Sequence, residues 1–195
     1  MFANIPTATR ALILINVGVF VLQQYFGETL RTLFALWPHD SAAFHPWQLL
    51  SYAFLHGSIG HIFLNMFALY MFGRALEAYW GARRFVIFYL VCVLAAALTQ
   101  LAVEGSDGPP VLGASGGVFG VLLAFAWYFP KQRLILIPIP IPLPAWLFVT
   151  LYALVELIFG ITGTEQGVAH FAHLGGMLGG ALCILYWRAR RRFSL

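Results

Sequence analysis

The chain has 195 residues, of which 61% are hydrophobic and 9% charged, and its formal net charge is +4. Soluble domains carry about 25% charged residues, so most of this chain cannot face water and a soluble globular fold is excluded. Its long apolar runs match helices that cross a bilayer, which need about 20 residues; barrel strands, which alternate over about ten residues, do not fit.

In chain order, the sequence predicts an all-α membrane protein with six spans in a single domain, residues 1–195. The spans fall near Thr9–Phe26, Ile59–Tyr79, Phe85–Val103, Ser115–Phe129, Ala145–Ile161 and Val168–Trp187. The first run lacks a small-x-small cleavage site, so it is expected to be retained, and no soluble domain is expected at either end. Arg10, Arg74, Arg83, Arg84, Lys131, Arg133, Arg188, Arg190, Arg191 and Arg192 all fall on one side, and only Arg31 on the other. The positive-inside rule then places both termini in the cytoplasm. The positive charge is thereby a topology signal, and no nucleic-acid partner is expected. Cys92 and Cys183 lie in separate spans and form neither a disulfide framework nor a metal spacing.

The first loop, Gly27 to Ser58, is long and carries Phe34, Trp37, Phe44, Trp47, Tyr52 and Phe54. Such a loop is expected to rest in the outer leaflet, with Trp and Tyr at headgroup depth; a solvated loop is the alternative. Span two begins "HGSIGHIFLN", so His61 and Asn65 share a helix face. Span four begins "VLGASGGVFG". From Ser115 to Phe129 it is only about 22 Å long, against a hydrocarbon core of about 30 Å. Lys131 and Arg133 hold its cytoplasmic end, so Ser115 should sit below the outer surface, at a helix N-terminus. The segment before it, "EGSDGPPVLGA", must descend as irregular backbone, which needs protein or a wet cavity around it. "IPIPIPLP" (Ile137–Pro144) cannot be helix interior and is expected to be an extended connector. Span six begins "VAHFAHLGGMLGG". His173, Gly176 and Gly180 share a face suited to close helix contact, and the partner expected is span four, with Gly113, Gly116, Gly117 and Gly120.

Polar residues at membrane depth cost free energy and tend to have a task. A serine needs a base to become a nucleophile, and His173 can supply it. The oxyanion then needs fixed donors, which His61, Asn65 and the Ser115 N–H can offer. None of Glu28, Asp40, Glu104, Asp107, Glu156 and Glu165 is tied to His173 by sequence, so a Ser–His dyad is expected rather than a triad. Each residue has a plainer reading. A lone serine can bond its own helix backbone, and a histidine near a helix end can be interfacial. His170 and His173 could bind a metal, but no Cys, Asp or Glu completes that site at helical spacing.

These motifs are specific. "GASGG" (Gly113–Gly117), "HIFLN" (His61–Asn65) and "AHLGGMLGG" (Ala172–Gly180) occur in order across nearly the whole chain, with "PWQLLSYAFLHGSIGH" and "GRALE" (Gly73–Glu77) beside them. The sequence resembles the rhomboid intramembrane serine proteases in their basic six-span prokaryotic form. The resemblance implies a six-helix rhomboid bundle with a membrane-associated first loop, in a prokaryotic cell (inner) membrane. It implies Ser115 as nucleophile, His173 as general base, and His61, Asn65 and backbone N–H groups as oxyanion donors. Gly176 and Gly180 would pack span six on span four, and His56 would be structural or water-organising. It also implies single-span membrane proteins as substrates, cut near the outer face without metal, cofactor or ATP. Two positions depart from the family: Gln48, where many relatives have Arg, puts a loop hydrogen-bond network in doubt, and Phe119, where some have Tyr, loses a hydroxyl while keeping an aromatic face for His173. Glu156 has no assigned role. An inactive relative that binds transmembrane helices is the alternative, but such relatives lack the serine or the histidine. A channel would need polar residues along a continuous path, whereas here they cluster in the outer half.

Overall fold

The computed structural model describes residues 5–103, 108–136, 139–164 and 167–192. Glu104, Asp107 and Glu165, and residues 137–138 of the proline stretch, lie outside them. Helix α1 spans Thr7–Phe34 and is followed by a short helix, α2 (Gln48–Ser51), and a tight turn at Tyr52–Phe54. Then come α3 (Ile59–Trp80), α4 (Ala82–Val103), α5 (Ser115–Tyr128), α6 (Ala145–Thr162) and α7 (His170–Arg192). Four of these helices (α1, α3, α4 and α6) are long and apolar enough to cross a membrane by length and composition, and α5 is a shorter apolar one. The chain is a multi-pass, all-α integral membrane protein.

Two expectations about elements change. The first helix does not stop at Phe26. Phe26 leaves helical geometry (φ −125°, ψ 29°), but the helix resumes to Phe34. "GETLRTLF" is not apolar enough to extend a span, yet Glu, Leu and Arg favour helix well. The first loop therefore begins at Ala35. The connector after α5 is extended, as expected, but it is also paired. Strands β1 (Arg133–Leu136) and β2 (Ile139–Pro144) form an antiparallel ribbon with an irregularity between Ile135 and Leu136. With two strands there is always a free edge, where prolines lacking N–H do no harm.

Helix α5 is the hub. Gly116 to Leu122 and Ala124 to Ala126 are all buried. It packs on α4 and α7, and those two pack on each other. Their shared core includes Phe88, Tyr89, Cys92, Val121, Ala124 and Ile184. Helices α1 and α6 lie outside this triple. Each buries few residues and exposes apolar ones, such as Leu14 and Leu22 on α1 and Leu154 and Ile158 on α6. Exposed apolar faces are what helices present to lipid. Helix α1 is anchored at its N-terminus by Glu77 from α3. The Glu77 carboxylate accepts from Ala8 N at 2.8 Å and from Thr9 N at 2.7 Å. A helix's first turn leaves N–H groups without partners, and its dipole favours an anion there. This explains a buried acid in "GRALE".

Candidate active site

Five local structures bring the polar residues to one end of the bundle. The first is the descending segment. Leu36 and Val111 exchange both backbone hydrogen bonds at 2.9 Å, and Gly113 N donates to Tyr52 O at 3.0 Å. The irregular backbone ahead of Ser115 is thus satisfied by the first loop, as a membrane interior demands. Tyr52 is itself fixed, because its hydroxyl donates to Val93 O of α4 at 2.9 Å. Gly113 has φ +131°, a conformation other residues rarely adopt, and a Cβ there would lie 2.7 Å from the His61 ring. Gly113 thus serves the irregular backbone that descends ahead of Ser115, and it faces His61 and not span six.

The second is the loop latch. Gln48 is fully buried. Its Nε2 donates to Ala43 O at 2.8 Å and Leu33 O at 3.3 Å, and its Oε1 accepts from Trp37 N at 3.3 Å. The amide supplies both donor and acceptor, so Gln48 makes a loop network of its own. Trp47 Nε1 also donates to Leu33 O, at 2.9 Å.

The third is the start of α3. Ser58 caps it by accepting from His61 N at 3.1 Å. Gly57 N donates to His61 Nδ1 at 3.5 Å. A neutral His61 accepting there carries its hydrogen on Nε2, the atom beside Gly113. Asn65 donates one amide hydrogen to His61 O at 3.0 Å and keeps a second. The buried His56 ring meets His61 edge-on, 5.0 Å between centroids. Burial, with His61 nearby, lowers the His56 pKa from 6.5 to about 4, so it is neutral at physiological pH.

The fourth is the crossing of α5 and α7. An added Cβ at Gly176 would strike the Gly116 carbonyl, and one at Gly120 would approach Gly176 O to 2.9 Å. Gly180 is less tight: a Cβ there would meet Phe88 at 3.0 Å and Gly120 Cα at 3.4 Å. Gly117 faces α4, where a Cβ would meet the Tyr89 ring at 2.6 Å, and a Cβ at Gly120 would also meet Cys92 Cβ of α4 at 2.6 Å. The glycines of α5 thus serve α4 as well as α7. Gln100 Oε1 of α4 accepts from Ala172 N in the first turn of α7 at 3.1 Å. That bond fixes the turn that carries His173.

The fifth is the reacting pair. His173 Nε2 lies 2.8 Å from Ser115 Oγ. The Phe119 ring stacks on the imidazole at 4.2 Å and 7°. Ser115 opens α5, so its N–H belongs to the first turn, where N–H groups have no partner within the helix. Ser115, His173, Phe119, His61 and Gly113 are therefore brought together, with Asn65 one turn along α3. Among the described residues, no side-chain hydrogen bond joins His56 to Ser115.

One expectation fails. His173 has an acidic partner: its Nδ1 lies 2.8 Å from Glu156 Oε2, and His170 Nδ1 lies 2.7 Å from the same oxygen. His170 Nε2 lies 3.1 Å from Thr164 O. The carboxylate comes from α6, a separate helix, so spacing along α7 could not reveal it. Two signals pointed there: an acid inside an apolar span, and the "HFAH" pair. The same three atoms form the one metal-capable group among the described residues, all within 4.8 Å of one another.

Residues 43–190 match the Rhomboid domain family. The chain is 30% identical to the rhomboid protease GlpG of Klebsiella pneumoniae over 125 residues, covering 64% of this chain and 44% of that protein. It is 33% identical to mitochondrial rhomboid protein 1 of Saccharomyces cerevisiae over 146 residues, 69% of this chain and 40% of that one. It is 26% identical to the rhomboid protease GluP of Bacillus subtilis over 180 residues, 90% of this chain and 34% of that one. The chain therefore spans less than half the length of these relatives. The family match extends over about three quarters of the chain and includes every element that carries the cluster around Ser115, so the chain belongs to the rhomboid family.

Proposed function

We propose that the chain is an intramembrane serine endopeptidase, folded as one membrane domain over residues 1–195, that cuts single-span membrane proteins near the outer face of the bilayer. The observation that carries this reading is the 2.8 Å approach of His173 Nε2 to Ser115 Oγ, two residues from different helices at the buried end of a short one. In this reading Ser115 attacks the scissile carbonyl while His173 takes its proton. The negative oxygen that forms is held by the Ser115 N–H, His61 Nε2–H and the free amide hydrogen of Asn65. His173 then gives its proton to the leaving amine, and water completes hydrolysis of the acyl-enzyme.

Phe119 supports the histidine by stacking, and the close glycines hold α7 on α5. The relatives named as rhomboid proteases support the same activity class. The basic residues support cytoplasmic termini, with the active end outward in a prokaryotic inner membrane. An inactive helix-binding role is less well supported, because both Ser115 and His173 are present and in contact. The test is cleavage of a single-span reporter by purified protein in liposomes. Wild type should cut, and Ser115→Ala and His173→Ala should each fold without cutting. Undiminished cleavage by Ser115→Ala, with contaminating proteases excluded, would sink the reading.

A further inference from the structure

Two histidine nitrogens and one carboxylate oxygen meet behind Ser115, and hydrogen accounting restricts how they share protons. Thr164 O can only accept, so His170 Nε2 carries a hydrogen. His170 Nδ1 then either donates a second hydrogen to Glu156 or accepts one from it at 2.7 Å. In both cases Glu156 and His170 hold one proton between them and are neutral as a pair. Glu156 is 5% exposed, His170 5% and His173 8%. A net charge in such a place is costly, so the neutral pair is favoured. Oε2 still has a lone pair for His173 Nδ1, 2.8 Å away.

We propose that Glu156, paired with His170, is the positioning residue of His173: Oε2 accepts the Nδ1–H and so presents the Nε2 lone pair to Ser115. The inference rests on Ser115 being the nucleophile. As the Oγ–carbonyl bond forms, the Ser115 proton moves to His173 Nε2. With the shared proton on His170, the resulting imidazolium lies 2.8 Å from the Glu156 carboxylate, while the His170 ring stands 6.3 Å away, so the nearer anion stabilises it. The proton then leaves on the departing amine, and Glu156 and His170 return unchanged. The other groups facing His173 are Ser115 and Phe119 of α5 and His61 of α3, and the neutral Gln100 of α4 is bonded to the adjacent Ala172 N.

The same three atoms could be imagined around a metal. Ligands about 2.1 Å from a tetrahedral zinc stand about 3.4 Å apart. Separations of 2.7 and 2.8 Å are hydrogen bonds instead.

The test is kcat/KM for a single-span reporter in liposomes, over about pH 5 to 9, for wild type, Ser115→Ala, Glu156→Gln and His170→Gln. Activity in wild type and none in Ser115→Ala establishes the underlying chemistry. An inactive wild type overturns the protease reading itself, a separate failure. Glu156→Gln should fall by about 100-fold or more in kcat with KM little changed, as when a catalytic histidine loses its orienting acid. Its acid limb should move to lower pH by about one unit, because a nearby anion favours the protonated base. His170→Gln leaves Glu156 without its cation, so its limb should move to higher pH. Opposed shifts support the proposal. Activity of Glu156→Gln within about threefold of wild type overturns it, as do limbs that stay fixed in both variants. A wild type activated by a chelator and inhibited by zinc only when Glu156 is present also overturns it. Should Glu156→Gln not fold, ¹⁵N NMR of histidine-labelled wild type decides. Neutral His173 must carry its hydrogen on Nδ1, and a hydrogen on Nε2 overturns the proposal.

Discussion

Gly176→Ala should separate packing from chemistry. The added methyl would overlap the Gly116 carbonyl, lying 2.7 Å from its carbon. Ordinary contacts are about 3.5 Å, and close-packed interiors do not absorb such overlap locally. Helix α7 must therefore move away from α5 by about 1 Å. Overpacking of this kind costs about 1–3 kcal/mol of stability. The larger effect falls on the site. His173 is one turn before Gly176 on the same face, so the shift stretches its 2.8 Å contact with Ser115. A misplacement of about 1 Å costs about 100-fold in rate. Two controls set the scale. At Gly180 an added Cβ would meet Phe88 at 3.0 Å and Gly120 Cα at 3.4 Å, which calls for a smaller adjustment. At Gly18 it would meet nothing within 4 Å. Reporter cleavage and thermal unfolding of the three alanine variants should thus rank Gly176 as most damaged, Gly180 as intermediate and Gly18 as close to wild type. Wild-type cleavage by Gly176→Ala would refute the claim that this crossing sets the Ser115–His173 distance.

Other substitutions test the supports one at a time. Gln48→Ala removes a fully buried amide and leaves Ala43 O and Trp37 N without it, while Leu33 O keeps Trp47 Nε1. It should lower stability by about 1–3 kcal/mol in thermal unfolding, and no change would show the latch to be idle. Glu77→Ala removes the acceptor for two N–H groups that open α1, at a cost of about 1–2 kcal/mol; hydrogen exchange should rise first at Ala8 and Thr9. His56 is held neutral in the folded protein, with its pKa lowered from 6.5 to about 4. The unfolded chain binds its proton first, so the His56 contribution is complete above pH 6.5 and declines as pH falls toward 4. At about 1.4 kcal/mol per pH unit the decline is about 3 kcal/mol. Unfolding of His56→Phe should be flatter than wild type across that interval, and parallel curves would contradict the assignment.

How much was legible follows from what each signal measures. Long apolar runs mark α3, α4 and α6 because lipid leaves little choice of residue. The shortness of α5 was legible because Ser115 and Lys131 bracket it. The last turns of α1 were not, since beyond Phe26 the helix continues on propensity rather than hydropathy. The β1–β2 ribbon was hidden because proline patterns announce extended backbone without saying what it pairs with. Within the site, Ser115, His173, His61 and Asn65 were legible from residue type and helical spacing. That Gly117 meets α4 is not legible, since a glycine on a buried helix shows that something comes close but not which helix. The contact of Glu156 with His173 depends on how α6 is rotated against α7, which no spacing along either helix encodes. What could be read was the anomaly itself, an acid placed where acids are expensive.

The central claim is that Ser115 is a nucleophile made reactive by His173. The direct measurement is mass-spectrometric mapping of a fluorophosphonate adduct on the protein in liposomes. Wild type should be modified at Ser115, and His173→Ala, with its fold intact, should lose the adduct. An adduct on another residue, or equal labelling of Ser115 without His173, would contradict the account.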